Sequence, residues 1–229
     1  MRSSFPWLHA LSSFLPLPFF RDAQKTVLRT KSYGEQSLAR YKRLVAANPD
    51  NAPVTLFRKL YQAGEEGLSD WEILSEARSF IVAGSDTTSN SLTYLVWSVC
   101  RNDDIRRTLA EELRALPGEF DDSMLKPLPY LNQVIDETLR LYSAAPSGLP
   151  RLVPPGGAEL AGYWMPGGST VTTQAYTLHR DPTVFPRPEV FDPSRWAAPT
   201  KAMKDYSMHF GGGSRGKCTS FLTQPQKLL

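Results

Sequence analysis

The stretch that decides the fold is FGGGSRGKCTS, residues Phe210 to Ser220. Its glycines let the backbone turn tightly and pass close to a flat ligand. Arg215 adds a guanidinium that pairs with carboxylates, and Cys218 adds a thiol. A thiolate is a strong metal ligand, and nearby backbone N–H groups favour the thiolate form of a cysteine. The stretch therefore predicts a basic, glycine-rich loop that presents a cysteine ligand.

Two other interpretations of the loop stay open. Gly211, Gly216, Lys217 and Cys218 stand one residue type away from a phosphate-binding P-loop, which makes a nucleotide binder a distant alternative. A P-loop ends in Ser or Thr and follows a buried strand, whereas KDYSMHF before this loop is a poor buried strand. The other alternative is a flexible tail with an incidental cysteine.

Composition narrows the class of protein. The chain has 229 residues, 41% of them hydrophobic, and a net charge of +3 from scattered basic residues, which does not favour a nucleic-acid partner. Two cysteines, Cys100 and Cys218, do not predict a disulfide framework. Cys100 ends the apolar run YLVWSVC and is expected to be buried.

The pattern predicts a mainly α protein with a small β-sheet region. Ser69 and Glu72 form a capping box ahead of a run without proline, which predicts one very long helix. The turn-rich segment AELAGYWMPGGSTVTTQAYTL predicts a β-hairpin with a Pro-Gly-Gly turn and a further strand. Helices are predicted over 35–47, 52–63, 70–101, 103–116 and 129–143.

The predicted layout is one partial domain over 1–229. Its parts are an irregular lead-in over 1–34, a helical region over 35–143, a β-hairpin and meander over 144–209, and the loop with its tail over 210–229. The apolar N-terminal stretch is interrupted by Pro6, Pro16 and Pro18, so we expect no membrane-spanning helix there.

AGSDTT, Ala83 to Thr88, places poor helix formers at the centre of the long helix. One interpretation is a kink with a solvated polar face, since these side chains compete for backbone hydrogen bonds. The other is a groove in which a planar group or O₂ packs against Ala83 and Gly84 while Asp86 and Thr87 relay protons. The residues alone do not choose between them.

Glu137 and Arg140 stand at i, i+3 on the last long helix and share one face. An exposed pair of this kind contributes little to stability. The neighbouring residues Val134, Ile135, Leu139 and Leu141 are apolar, which favours a partly buried pair with Arg195 of FDPSRW as a third member.

Four motifs in this order, AGSDTT, ETLR, HRDPTVFPRPEVFDPSRW and FGGGSR, resemble the cytochrome P-450 family from its long central helix to its haem loop. The resemblance covers the C-terminal half of a family member and is greatest to fungal microsomal forms. It implies an incomplete cytochrome P-450 fold, haem as the cofactor, and a haem-thiolate monooxygenase that inserts one atom of O₂ into a small, lipophilic organic substrate.

The resemblance also implies roles for single residues. Asp86 and Thr87 are the catalytic acid–alcohol pair, and Ala83 and Gly84 flank the haem. Arg151 matches an arginine that binds a haem propionate, and residues 144–149 match a substrate-facing segment. Glu137, Arg140 and Arg195 match a structural triad.

The family loop reads Phe-x-x-Gly-x-Arg-x-Cys-x-Gly, and Phe210, Gly213 and Arg215 fall on it. Lys217 stands at the cysteine position, so Cys218, the candidate metal ligand, is one residue out of register. Gly216-Lys217-Cys218 can be encoded GGT-AAG-TGC, which contains the splice-donor sequence GTAAGT. The alternative function is therefore a truncated, haem-free, inactive polypeptide from a mis-spliced gene or from one whose exon boundaries are misplaced.

The resemblance further implies an NADPH-cytochrome reductase as electron donor, O₂ as co-substrate, and the endoplasmic reticulum membrane as the location of a full-length member. Because the family's anchor has no counterpart in this chain, we expect the chain itself to be soluble or peripheral. No nucleic-acid partner is expected.

Overall fold

The structure, a computed structural model, describes residues 18–48, 55–61 and 68–211. Helices dominate these ranges, and the strands form two small antiparallel sheets. This confirms the predicted mainly α fold with a small β-sheet region. The helices are α1 (Pro18–Ala47), α2 (Leu56–Tyr61), α3 (Asp70–Arg101), α4 (Asp103–Arg114), α5 (Asp122–Leu125), α6 (Pro129–Leu141), α7 (Ala175–Leu178) and α8 (Lys201–Tyr206), with a 3₁₀ helix at Pro193–Trp196.

The chain divides into two compact units, residues 1–86 and 87–229, and the division falls inside α3. In the first unit, Leu38 and Tyr41 of α1 are buried, as are Ile73 and Ala77 of α3. The Tyr41 ring stacks on Phe57 of α2 with 5.5 Å between ring centroids. The single domain over 1–229 stays a prediction.

The predicted irregular lead-in over 1–34 is wrong for residues 18–34, because α1 begins at Pro18 and not at residue 35. Gly34 lowers helix propensity in the middle of α1. A Cβ at Gly34 would lie 3.1 Å from Leu74 Cδ1, so glycine allows close packing of α1 against the start of α3. Residues 1–17 lie outside the described residues.

Helix α3 has both of its predicted ends, Asp70 and Arg101. The Glu72 carboxylate accepts hydrogen bonds from the Ser69 backbone N–H at 2.9 Å and the Ser69 hydroxyl at 2.6 Å, which confirms the capping box. Cys100, however, is exposed, so the prediction of a buried cysteine is wrong. Ser98 is the buried residue of that last turn, and Cys100 lies on a different face of the helix.

Strands β1 (Gly148–Leu152) and β4 (Thr170–Gln174) pair with each other, and β2 (Ala158–Leu160) pairs with β3 (Tyr163–Met165). The β2–β3 hairpin was predicted, but its turn is Ala161–Gly162, with φ of 52° and 82°. The Pro-Gly-Gly segment instead connects β3 to β4. Strand β1 was not predicted, since Pro150 lies at its centre and β-sheets tolerate proline only at an edge.

The second unit buries Phe185, Trp196 of the 3₁₀ helix and Met203 of α8 together in one cluster. Val134 of α6 and Leu109 of α4 are also buried. Within the described ranges, no helix is both long enough and apolar enough to cross a membrane.

Candidate functional site

A fully buried ion pair forms the centre of the second unit. The side chains of Glu137 and Arg140 on α6 both have 0% exposure. Arg140 donates from Nε to Glu137 Oε2 at 2.8 Å and from Nη2 to Glu137 Oε1 at 2.8 Å. This two-bond geometry is the strongest that an arginine and a carboxylate can form.

The irregular chain around the 3₁₀ helix completes the hydrogen bonding of the Glu137 carboxylate. Arg195 Nε donates to Oε1 at 3.0 Å, and the Asp192 backbone N–H donates to the same oxygen at 2.9 Å. Trp196 Nε1 donates to Oε2 at 2.9 Å. The structure thus brings together Glu137, Arg140 and Arg195, as the sequence pattern predicted, and adds Trp196.

Backbone carbonyls accept the remaining donors of Arg140. Its Nη1 donates to His179 O at 2.7 Å and to Pro188 O at 2.8 Å. Its guanidinium carbon lies 5.1 Å from the centroid of the Phe185 ring. Because a buried charge is costly unless it is paired and hydrogen-bonded, this complete set of partners explains how the pair is held in the core.

Side chains from other segments cap both ends of α6. The Glu112 carboxylate of α4 accepts hydrogen bonds from the backbone N–H groups of Tyr130 and Leu131, each at 2.8 Å. At the other end, the His179 ring lies 2.8 Å from Arg140 O, and Arg180 Nη2 donates to Leu141 O at 2.9 Å. The helix dipole stabilises an anion at the N-terminus of a helix and a cation at its C-terminus.

The residues predicted to face O₂ lie on α3. Ala83, Gly84, Asp86 and Thr87 are all exposed, and α3 continues as an α-helix through them. No atom lies within 4 Å of a Cβ built on Gly84. The backbone surface at Gly84 is therefore open to a flat ligand.

The start of the glycine-rich loop lies against β1. Gly211 has φ of 79°, a left-handed conformation that favours glycine, and a Cβ there would lie 3.3 Å from Leu149 Cδ1. Leu149 and Arg151 are two residues apart on β1 and so share one face of the strand. Gly211 and the exposed Arg151 therefore lie on the same side of β1. Gly213, Arg215 and Cys218 lie outside the described residues.

Among the described residues, three groups on or near α6 have strongly displaced pKa values. Burial lowers the pKa of His179 to about 4, and the nearby Arg140 and Arg180 guanidinium groups add to that effect. Burial, followed by repulsion from His179, lowers the pKa of His209 to about 4. Burial, followed by the neighbouring Glu137 carboxylate, raises the pKa of Asp136 to about 6.

Comparison with known proteins decides the family. The family model described as Cytochrome P-450 matches residues 2–218. The chain belongs to the cytochrome P-450 family. A cytochrome P-450 monooxygenase of Aspergillus niger, orf2, is 46% identical over 214 residues, which cover 93% of this chain and 43% of that relative. Another from Aspergillus terreus, tazI, is 47% identical over 218 residues, 94% of this chain and 45% of the relative.

This cytochrome P-450 chain therefore spans about half the length of these relatives. A third monooxygenase, azaI of Aspergillus niger, is 43% identical and is covered to 50% of its length. The fungal relatives confirm the predicted resemblance to fungal family members.

Haem is the cofactor that membership of the cytochrome P-450 family implies. Among the described residues, Arg151 fits it. Arg151 is exposed on the side of β1 that the glycine-rich loop approaches, and its Nη1 donates to the adjacent Pro150 carbonyl at 2.9 Å, which leaves the other guanidinium N–H groups able to bind a propionate.

Sequence reasoning missed the residues that support α6 of this cytochrome P-450 chain. The ends of α6 are capped by Glu112, His179 and Arg180. Trp196 donates a hydrogen bond to the carboxylate of Glu137. Three of these residues stand in the motifs HRDP and FDPSRW, which mark the segments as candidates for a site. The motifs do not indicate which atom each side chain contacts. Glu112 has no local signal, because it caps a helix that begins 17 residues later at Pro129.

Proposed function

We propose that this chain is the C-terminal half of a haem-thiolate monooxygenase that oxidises a small lipophilic organic substrate. The observation that carries the proposal is the buried Glu137–Arg140–Arg195 cluster. It ties α6 to the 3₁₀ helix, which is followed by α8 and then by the glycine-rich loop. In this proposal the cluster would hold the glycine-rich loop where its cysteine can bind haem.

The residues that would hold the haem are Arg151 and Arg215 at its propionates, Cys218 as the thiolate ligand, and Phe210 and Gly213 in the loop. When bound, haem supplies the chemistry RH + O₂ + 2e⁻ + 2H⁺ → ROH + H₂O. Cys218 would be the electron-donating ligand of that haem. Ala83 and Gly84 are the proposed haem-contacting residues of α3.

Asp86 and Thr87 would supply the two protons of that reaction. The carboxyl group of Asp86 lies at the surface of α3, and the Thr87 Oγ1 hydroxyl both accepts and donates a hydrogen bond. The pair therefore has the chemistry of a proton relay toward O₂.

The remaining assignments concern the whole protein. Residues 144–149, ahead of and within the start of β1, would face the substrate. An NADPH-dependent reductase would supply the electrons, and the full-length enzyme would be located at the endoplasmic reticulum membrane.

One observation favours a different outcome, a haem-free and inactive polypeptide. Lys217 stands two residues after Arg215, where the family loop has its cysteine. An ammonium group cannot ligate iron as a thiolate does. If the loop cannot shift by one residue, Cys218 does not reach the metal.

A chimera separates the two outcomes. This chain, through Cys218, replaces the matching segment of the Aspergillus terreus relative, which supplies the rest of the protein. The monooxygenase proposal expects the chimera to copurify with haem and to oxidise NADPH when the reductase is added. Deletion of Lys217 moves the cysteine into register and is the matched variant. Haem loading only after that deletion supports the haem-free alternative for the natural chain.

A further inference from the structure

His179 makes a hydrogen-bonded bridge that the proposed function does not use. Its ring is fully buried and lies between the end of α6 and the chain just before the glycine-rich loop. Nδ1 is 2.8 Å from Arg140 O, and Nε2 is 2.8 Å from the backbone nitrogen of Met208. Met208 is separated from His179 by 29 positions in the sequence, and Arg140 by 39.

The two partners determine the protonation state of the ring. The Met208 backbone N–H can only donate, so Nε2 must be the unprotonated acceptor. The Arg140 carbonyl can only accept, so Nδ1 must carry the proton and donate. The geometry therefore requires the neutral ring with its proton on Nδ1, because a doubly protonated ring would set two N–H groups against each other at Met208.

Arg140 and His179 are joined by a second hydrogen bond, in which the arginine side chain is the donor and the His179 backbone is the acceptor. The side chain of Arg140 donates from Nη1 to the His179 carbonyl at 2.7 Å, while the His179 ring bonds the Arg140 carbonyl. The bridge thus begins at the Glu137–Arg140 ion pair and ends two residues before Phe210.

We infer that His179 is a positioning residue that fixes the start of the glycine-rich loop relative to α6, through its bonds to Arg140 O and Met208 N. The charged and titratable groups that face the ring are Arg140 from α6, Arg180 from its own segment and His209 from the loop approach. Burial and the two arginine cations keep the ring neutral. The inference goes beyond the proposed function and needs no bound haem.

Two substitutions separate the two bonds. The amide group of Asn reaches the position of Nδ1, so His179→Asn keeps the donor to Arg140 O and leaves the Met208 N–H without an acceptor. The longer Gln reaches the position of Nε2, so His179→Gln keeps an acceptor for Met208. If His179 only filled space, the Met208 amide would not be less protected in His179→Asn than in His179→Gln.

The test is amide hydrogen exchange on the haem-free 229-residue chain. We expect the Met208 amide to exchange about tenfold or more faster in His179→Asn than in His179→Gln. The Val153 amide, which donates to Ser169 O at 2.9 Å, is the internal control and should change equally in both variants. Equal exchange at Met208 in the two variants overturns the inference.

A second measurement stays decisive if the Asn variant does not fold. Nitrogen NMR of the imidazole ring in the unmodified chain reports which nitrogen carries the proton. We expect Nδ1 to be protonated and Nε2 to be bare at neutral pH. A ring protonated on Nε2 overturns the inference, and this result does not depend on whether the chimera binds haem.

Discussion

Replacing Glu137 by Ala tests the buried cluster most severely. Five hydrogen bonds converge on the Glu137 carboxylate, from Arg140 Nε and Nη2, Arg195 Nε, Trp196 Nε1 and the Asp192 N–H. The substitution leaves the Arg140 charge buried without its partner, which costs about 3–5 kcal/mol. A domain has a free energy of unfolding of only about 5–15 kcal/mol. We therefore expect Glu137→Ala to lose a large fraction of its free energy of unfolding.

Two further variants make this prediction quantitative. Glu137→Gln keeps the shape but turns an NH₂ group toward N–H donors on one side, so we expect a loss of about 2 kcal/mol. Asp205→Ala is the matched control, because it breaks the exposed i,i+4 pair with Lys201, in which the two atoms lie 2.5 Å apart. We expect that control to show no measurable change.

Urea unfolding followed by far-ultraviolet circular dichroism measures all three variants. The predicted order of stability is unmodified chain equal to Asp205→Ala, then Glu137→Gln, then Glu137→Ala. If Glu137→Ala lowers the urea midpoint no more than Asp205→Ala does, the buried ion pair does not hold α6 in place.

Three other predictions concern the rest of the site. Glu112→Ala removes the acceptor at the start of α6 and should lower the free energy of unfolding by about 1–2 kcal/mol in urea, whereas an unchanged midpoint would show that water replaces the cap. Asp136→Asn removes a carboxylate whose pKa the fold raises from 3.8 to about 6, so the folded state is penalised increasingly as pH rises through that window. At pH 7 this variant should be more stable than the unmodified chain by about 1–2 kcal/mol, seen as a higher melting temperature. At a pH below 3.8, the ordinary pKa of the carboxyl group, it should have no effect. Equal stabilisation at the two pH values would contradict this prediction. Thr87→Ala in the chimera should release more peroxide per NADPH consumed, because the proposed proton relay loses its hydroxyl. An unchanged ratio of peroxide to NADPH would remove Thr87 from the relay.

The sequence predicted the elements whose signals are local. The capping box at Ser69 and Glu72 located the beginning of α3, and the absence of proline after it predicted its length. The i, i+3 spacing of Glu137 and Arg140 together with their apolar neighbours predicted a partly buried pair. These patterns suffice because a helix is determined mainly by residues that are close in sequence.

What the sequence did not predict depends on contacts between distant residues. The helical structure of residues 18–34 was not predicted, and α1 continues through Gly34 where that glycine packs closely against Leu74. Strand β1 contains Pro150 and is recognisable only through its pairing with β4. The caps Glu112, His179 and Arg180 bond backbone atoms that no local pattern identifies.

The proposed function is tested most directly by the absorbance spectrum of the reduced, CO-treated chimera, recorded with Cys218 present and with Cys218→Ala. We predict the Soret band of a thiolate-ligated haem in the first protein and its loss in the second, with Cys100→Ala unchanged. A chimera without that band, or a band that persists in Cys218→Ala, would contradict the assignment of Cys218 as the haem ligand.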